Sequence, residues 1–257
     1  MKTYTAIALE HFPMVKPGDD IALQIVEIAK ANNVDLEDGD VVVIAQKIIS
    51  KAEKRIVHLK NVQSSQRASK LAKEVGRSSK IIELVLRETR RILKLSRDIV
   101  LVEDKRGLIC INAGLDKSNV KGADAFALLP ENPDKSAQNC RTAIKKLTNK
   151  NVAVIVCDTY SRPFRRGQVN FAIGVAGVKP FKDYRGKKDL FGQVLKVKNI
   201  AVIDEIAAAA ELLMGQATEA RPVVIFKGLK EHVDRCENCS ISELFISRKE
   251  DLFKNAL

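Results

Sequence analysis

Two aspartates, Asp116 and Asp158, each follow shortly after an apolar run, Leu108 to Asn112 and Val152 to Val156. Carboxylates just past the end of a buried strand stand where open α/β sheets place their ligands. Two such groups facing one cavity repel each other unless a cation neutralises them. Mg²⁺ commonly takes one or two carboxylates together with water and substrate phosphates, and Thr159 adds a hydroxyl beside Asp158. The plain alternative is that both aspartates cap helices. Lys47 and Lys51 are four residues apart, a spacing that faces one way on a helical turn and supplies point charges for phosphate oxygens; the alternative is a solvated face. The run Arg162-Pro163-Phe164-Arg165-Arg166-Gly167 follows Asp158-Thr159 closely and suits phosphate or carboxylate recognition, against the alternative of ordinary surface charge.

Other chemistries find little support. No G-x-x-x-x-G-K-[ST] segment occurs, and no G-x-G-x-x-G opens a helix after a strand, so a bound nucleotide implies neither a P-loop nor a Rossmann site. Cys236-Glu237-Asn238-Cys239 is a lone C-x-x-C that needs His232 and a distant residue to make a zinc site. His11, His58 and His232 are isolated, with no serine or cysteine motif that makes a triad.

The chain has 257 residues, enough for a core with a buried site, and its 46% hydrophobic and 30% charged residues are ordinary globular proportions. No apolar stretch approaches the ~18 residues of a membrane span, and the opening Met1 to Ala6 does not read as a signal peptide, so a cytoplasmic protein without membrane contact is expected. The five cysteines, Cys110, Cys140, Cys157, Cys236 and Cys239, show no framework spacing and are expected to be reduced. A formal charge of +12 favours polyanions, nucleotides among them. Only 5% of residues are aromatic and tryptophan is absent, so stacking platforms for nucleic acid are scarce and a solvated basic surface is the preferred reading.

Several elements must position these groups. Pro17-Gly18-Asp19-Asp20 reads as a turn and cap before a helix with one apolar face, Ile21, Ala22, Ile25, Val26 and Ala29, ending near Asn32-Asn33. Asp38-Gly39-Asp40 turns into the β-branched run Val41 to Ala45, a strand buried on both faces. Ser65 to Leu95 reads as charged helix. Asp134 or Ser136 caps a helix running to about Thr148, and Asp204 caps one from Ile206 to Met214, closed by Gly215. Pro222 to Phe226 is a further buried strand. Alternating strands and helices predict an α/β, mixed α+β fold, a single domain over 1–257 with room for two subdomains.

Taken in order, these segments resemble the coenzyme F-420-0:L-glutamate ligase family, F-420 being a deazaflavin hydride carrier. The likeness runs through Phe12-Pro13-Met14-Val15, Pro17 to Asp20, Asp38-Gly39-Asp40 to Glu53, Asn112 to Asn119, Asp158-Thr159 with Arg162 to Gly167, and Asp204 to Gly215. It implies a family-specific ligase fold, an intertwined homodimer, and GTP, L-glutamate and coenzyme F-420-0 as substrates. It also implies Mg²⁺ or Mn²⁺, two divalent ions per subunit, with K⁺ a further candidate. Carried over by position, Asp116, Asp158, Thr159 and Gln216 are metal ligands. Phe12, Pro13, Met14, Val15, Gln46, Lys47, Lys51, Asn119 and the loop Met214, Gly215, Gln216, Ala217, Thr218, Glu219, Ala220 and Arg221 form the GTP site. Gln216 departs from the pattern, standing where some members are expected to carry a metal-binding glutamate; an amide coordinates through its carbonyl but adds no charge.

The resemblance implies that the γ-phosphoryl group of GTP passes to the acceptor carboxylate and that the glutamate amine displaces phosphate, with a second glutamate added through a γ-linkage; no general base is assigned. Lys179 to Gly192, rich in glycine and charge, is the expected part of the acceptor surface. The rivals are a related ligase with another amino acid or acceptor, and a basic RNA-binding protein.

Overall fold

The computed structural model describes residues 1–233, 236, 239–247 and 249–251; Glu237 and Asn238 of the C-x-x-C segment lie outside them. In chain order the elements are β1 (Thr5–Ala8), α1 (Ile21–Ala31), β2 (Val41–Ala45), α2 (Gln46–Ala52), β3 (Ile56–His58), α3 (Gln66–Val75), α4 (Ser79–Glu88), β4 (Thr89–Ser96), β5 (Ile99–Asp104), β6 (Ile109–Ile111) and β7 (Ala125–Ala127). There follow α5 (Pro133–Thr148), β8 (Ala153–Ser161), β9 (Gln168–Ala176), β10 (Phe181–Asp183), β11 (Asn199–Ala201), α6 (Val202–Met214) and β12 (Val223–Lys227). The fold is mixed α/β, and it divides into two compact units.

The first unit comprises Met1–Val15, Asp19–Ile49 and Asn132–Leu244. Its centre is a five-stranded sheet in the order β1-β12-β2-β8-β9. Only β2 and β8 run parallel in it, the other pairings being antiparallel, which is unlike a doubly wound parallel sheet. Val41 to Ile44 and Val152 to Val156 are fully buried, as a run without alternation requires, and each valine and isoleucine side chain contributes roughly 1.5–3 kcal/mol. Helix α1 begins as expected: Asp20 accepts from the Leu23 amide, and Asn32 closes the last turn. Helix α5 is capped by Asn132, with Pro133 in its first turn, and not by Asp134 or Ser136. Asp134 instead accepts from the Val175 amide at 2.8 Å and the Ser240 hydroxyl at 2.8 Å.

Gly174 on β9 lies against Pro133, so that an added Cβ would run into the proline carbonyl. Gly174→Ala should therefore lower stability by about 1–3 kcal/mol, read as a lower urea midpoint at unchanged slope. Helix α6 starts earlier than expected, at Val202, and Asp204 sits inside its first turn accepting from the Ala172 amide at 3.1 Å. Gly215 does close it, at φ +68°.

The second unit contains Lys16–Gly18, Ser50–Glu131 and the described residues from Phe245 on. It holds the antiparallel pair β3-β7 and the meander β4-β5-β6. Val62, Leu84 and Phe126 form a core cluster backed by Val57, Leu59, Ile81 and Leu115. The segment expected to be helical to Leu95 turns to strand at Thr89, and β4 and β5 form a hairpin across Arg97-Asp98, with Asp98 at φ +63°. Ile92, Leu93 and Leu95 fit strand or helix equally by count, and pairing with Val100 and Val102 decides for the strand.

Three cysteines, Cys110, Cys140 and Cys157, are reduced and buried. Cys236 and Cys239 are not reduced: they form a disulfide, their Cα atoms 5.6 Å apart, which corrects the expectation and removes both thiolates from a zinc site. Among the described residues no helix is long and apolar enough to cross a membrane.

Candidate functional site

Strand pairing in the first unit brings much of the expected site to one end of the sheet. Ala45, the last residue of β2, pairs with Cys157, so Asp158 is the first residue of β8 to project past its parallel neighbour. A register shift between Val156 and Cys157 in the β8-β9 ladder falls just before it, the kind of irregularity that re-aims side chains next to active sites. Strand β8 continues to Ser161, so Asp158 lies within a strand and caps no helix. At the same sheet end the Leu9 amide donates to the Val223 carbonyl and the Ala45 amide to the Pro222 carbonyl, both at 2.9 Å or less. Arg221 reaches Glu10 at 3.4 Å. These contacts place the segment after β1, the loop after α6 and the β2-α2 junction together.

Within that cluster Phe12 and Val15 are buried while Met14 is exposed, and Gln46 is buried directly after β2. Lys47 is half-buried on α2, the same short helix that carries Lys51 one turn on. Met214 is buried, and Gly215 to Arg221 form the loop that follows. Glu219 accepts from the Ala217 amide at 2.8 Å. Its carboxyl is held below the usual range by its own and the Ala217 backbone amides, with Arg221 nearby. Ala220 takes a left-handed φ of +53°.

Thr159 and Gln216 meet directly: the Gln216 amide nitrogen donates to the Thr159 hydroxyl oxygen at 2.9 Å, and the same nitrogen donates to Glu211 Oε1 at 2.8 Å. Thr159 passes its own proton to Asn170 Oδ1 at 3.1 Å. Asn170, paired with Thr159 across β8-β9 and almost fully buried, turns its amide nitrogen to Cys157 and Met214. Sequence reasoning passed over both Asn170 and Glu211. A signal for Glu211 was present, since it lies three residues before the buried Met214 and so on the same helix face. Burial raises the pKa of Glu211, and hydrogen bonds from the Gln216 and Asn170 side chains partly offset the rise. Cys157 beside Asp158 is no nucleophile: burial first, then the Asp158 and Glu211 carboxylates, push its thiol far up, and it points at the Ile44 carbonyl.

Asp116, Asn119 and Lys51 belong to the second unit. Asp116 does not cap a helix either. Its backbone bridges to Ala127 on β7, and its carboxylate accepts from the Ser118 amide at 2.7 Å and the Ser118 hydroxyl at 2.8 Å. Asn119 follows in that loop at φ +53°.

The two other basic segments lie at opposite ends of the sheet, Arg162 to Gly167 at the end that carries Asp158 and Thr159. Arg162 to Gly167 form the exposed turn between β8 and β9, where Arg162 donates to the Arg166 carbonyl. Of Lys179 to Gly192, Lys182 and Tyr184 line a cleft of about 750 Å³ with Lys2, Tyr4, Phe226 and Glu231. That cleft lies at the opposite end of the sheet, by the starts of β1 and β2, and none of the site residues line it.

Carboxylate, hydroxyl and amide oxygens are hard donors, suited to Mg²⁺ or Mn²⁺ rather than to softer metals. Glu211 Oε2 supports the fit, being buried and poorly satisfied, with the Asn170 side chain the one group among the described residues, besides Gln216, that stabilises the carboxylate by hydrogen bonding. Among those residues no group of three His, Cys, Asp or Glu side chains converges, so an ion held here would complete its shell from phosphate and water.

The model of the F420-0:gamma-glutamyl ligase family matches residues 10–228. The chain belongs to this family. Its relatives include the protein named coenzyme F420:L-glutamate ligase of Archaeoglobus fulgidus, 42% identical over 97% of this chain and 96% of the relative. The proteins of the same name from Methanopyrus kandleri and Methanothermobacter thermautotrophicus are similar too. The first is 41% identical over 93% of each chain, the second 42% identical over 86% of this chain and 88% of its own. The resemblance read from the residues is borne out, and the F420-0:gamma-glutamyl ligase family sets the frame for the function.

Proposed function

We infer that this member of the family joins L-glutamate to the free carboxylate of coenzyme F-420-0, using GTP and divalent cations. The observation that carries the reading is the meeting of the Asp158-Thr159 strand end with the Gln216 loop, beside Lys47 and Gln46, in a chain matched by the family model over most of its length. An acceptor carboxylate oxygen attacks the γ-phosphorus of GTP, the bond to the β-phosphate oxygen breaks, and GDP leaves. The glutamate amine then attacks the acyl carbon and loses a proton to solvent, and phosphate departs. Phosphoryl transfer needs positioned charge more than covalent help.

In the first unit Asp158, Thr159 and Gln216 are the residues that would hold Mg²⁺ or Mn²⁺, which would supply positive charge where the phosphate oxygens gather negative charge; the resemblance gives Asp116 a metal-binding role as well. Lys47 and Lys51 supply point charges to the phosphates. The loop Met214 to Arg221 and the segment Phe12 to Val15 shape the nucleotide pocket, and the resemblance gives Asn119 a nucleotide contact. Addition of a second glutamate, K⁺ as a further cation and the homodimer belong to the same reading; the full chain should sediment at two subunit masses, and a single subunit mass would remove the homodimer.

Hydroxylamine offered in place of glutamate should trap the acceptor as its hydroxamate with stoichiometric GDP; GDP release without any hydroxamate would remove the acyl-phosphate step. Lys47→Ala should raise the KM for GTP roughly 10- to 100-fold, the span of one charge-assisted hydrogen bond, with a smaller change in kcat. An unchanged KM would take Lys47 out of the phosphate site.

A further inference from the structure

The Gln216 amide nitrogen sits between two oxygens, Thr159 Oγ1 at 2.9 Å and Glu211 Oε1 at 2.8 Å, and donates a proton to each. A positively polarised NH₂ group bridging a hydroxyl and a carboxylate occupies the place that a small cation takes between the same atoms. The second oxygen of Glu211 is shielded from water and accepts no well-formed hydrogen bond among the described residues, the Asn170 side chain being the one further group there that steadies the carboxylate, so the pair of oxygens is under-satisfied unless a ligand joins it. Thr159 is held ready, since its proton goes to the buried Asn170 and its remaining lone pair faces the amide. Charge points the same way: Gln216 brings none, and Glu211, five residues earlier on α6, brings one.

We propose that Glu211 is a divalent-cation ligand, and that the Gln216 amide is a placeholder for the ion. Cation entry turns this amide over, exchanging its nitrogen for its carbonyl oxygen. The ion then meets Glu211, the Thr159 hydroxyl and the Gln216 carbonyl, and Asn170 acts as the positioning residue for Thr159. Glu211 thereby supplies the negative charge that the neutral residue at position 216 does not. The inference rests on the reading above that Thr159 and Gln216 face the metal.

The test uses Mn²⁺ and the full chain, with and without GDP, counting free Mn²⁺ by its electron paramagnetic resonance signal. Glu211→Gln should weaken Mn²⁺ binding at least about 10-fold, as expected when a supporting carboxylate of a metal site is lost. Gln216→Glu in the Glu211→Gln background should recover most of the loss by returning the charge. Unchanged Mn²⁺ affinity in Glu211→Gln would overturn the proposal while leaving the metal reading in place; no Mn²⁺ binding by the unmodified protein in either condition would overturn both. Should the variants fold poorly, anomalous scattering from Mn²⁺ in crystals of the unmodified protein decides the matter. A peak about 2.0–2.4 Å from a Glu211 oxygen supports the proposal, and a peak ligated without Glu211 contradicts it.

Discussion

Asp158→Asn should lower GDP release in the presence of F-420-0 and glutamate by about 10²- to 10³-fold, the cost of removing one preorganised electrostatic contact to a developing charge. Asp158 projects past the end of β2 just after a register shift, and the neighbouring Thr159 is locked between Asn170 and Gln216. An asparagine keeps the volume and one oxygen but loses the charge, so folding should survive and the ion should bind more weakly. Raising Mn²⁺ should recover part of the activity, which separates a ligand from a merely structural residue. Unchanged turnover at saturating Mg²⁺ would remove Asp158 from the metal site.

The largest effect on stability is expected in the second unit, at Glu88. Its Oε2 receives Arg55 Nη2 at 2.8 Å and both terminal nitrogens of Arg106 at 2.8 and 2.9 Å, and all three side chains are largely buried. Arg55 also donates to the Leu129 carbonyl, and Arg106 pairs with Asp104, itself wholly buried and accepting from the Arg106 and Leu108 amides. Glu88 thus ties the end of α4 to the segment leading into β3 and to the β5-β6 turn. Glu88→Ala leaves two guanidinium groups buried without their shared anion, a change that costs about 3–5 kcal/mol. The urea midpoint of the variant should fall accordingly, and Glu88→Gln should lie between the two. A midpoint shift under 1 kcal/mol-equivalent, the range of an exposed pair, would contradict the account.

Much of the framework was legible because its signals are local. The Asp20 cap with the apolar stripe of α1, the unbroken valines of β2, and Gly215 at the end of α6 each carry their own instruction. Elements whose existence depends on a distant partner were not legible. The hairpin β4-β5 looked helical because its charges and leucines fit either period until pairing across Arg97-Asp98 decides. Asp134 looked like a cap because it follows a turn, whereas Asn132 reaches the Lys135 amide and frees Asp134 to bond Val175 and Ser240.

The candidate site divides the same way. Asp158, Thr159 and Gln216 lie in short segments where the family likeness could be read locally, and the structure joins Thr159 to Gln216. Asn170 carries no local mark and Glu211 only its helical spacing from Met214; the β8-β9 pairing and the last turn of α6 bring them to Thr159 and Gln216. The disulfide between Cys236 and Cys239 was equally invisible, since a three-residue separation suits a bridge, a metal or two free thiols.

The central claim is a glutamyl transfer driven by GTP. The protein incubated with GTP, Mn²⁺, L-glutamate and F-420-0 should convert the acceptor to a product heavier by a glutamyl residue, with one GDP formed per glutamate added and no product when the cation is chelated. An acceptor of unchanged mass, or a glutamylated product formed equally well without GTP, would contradict it.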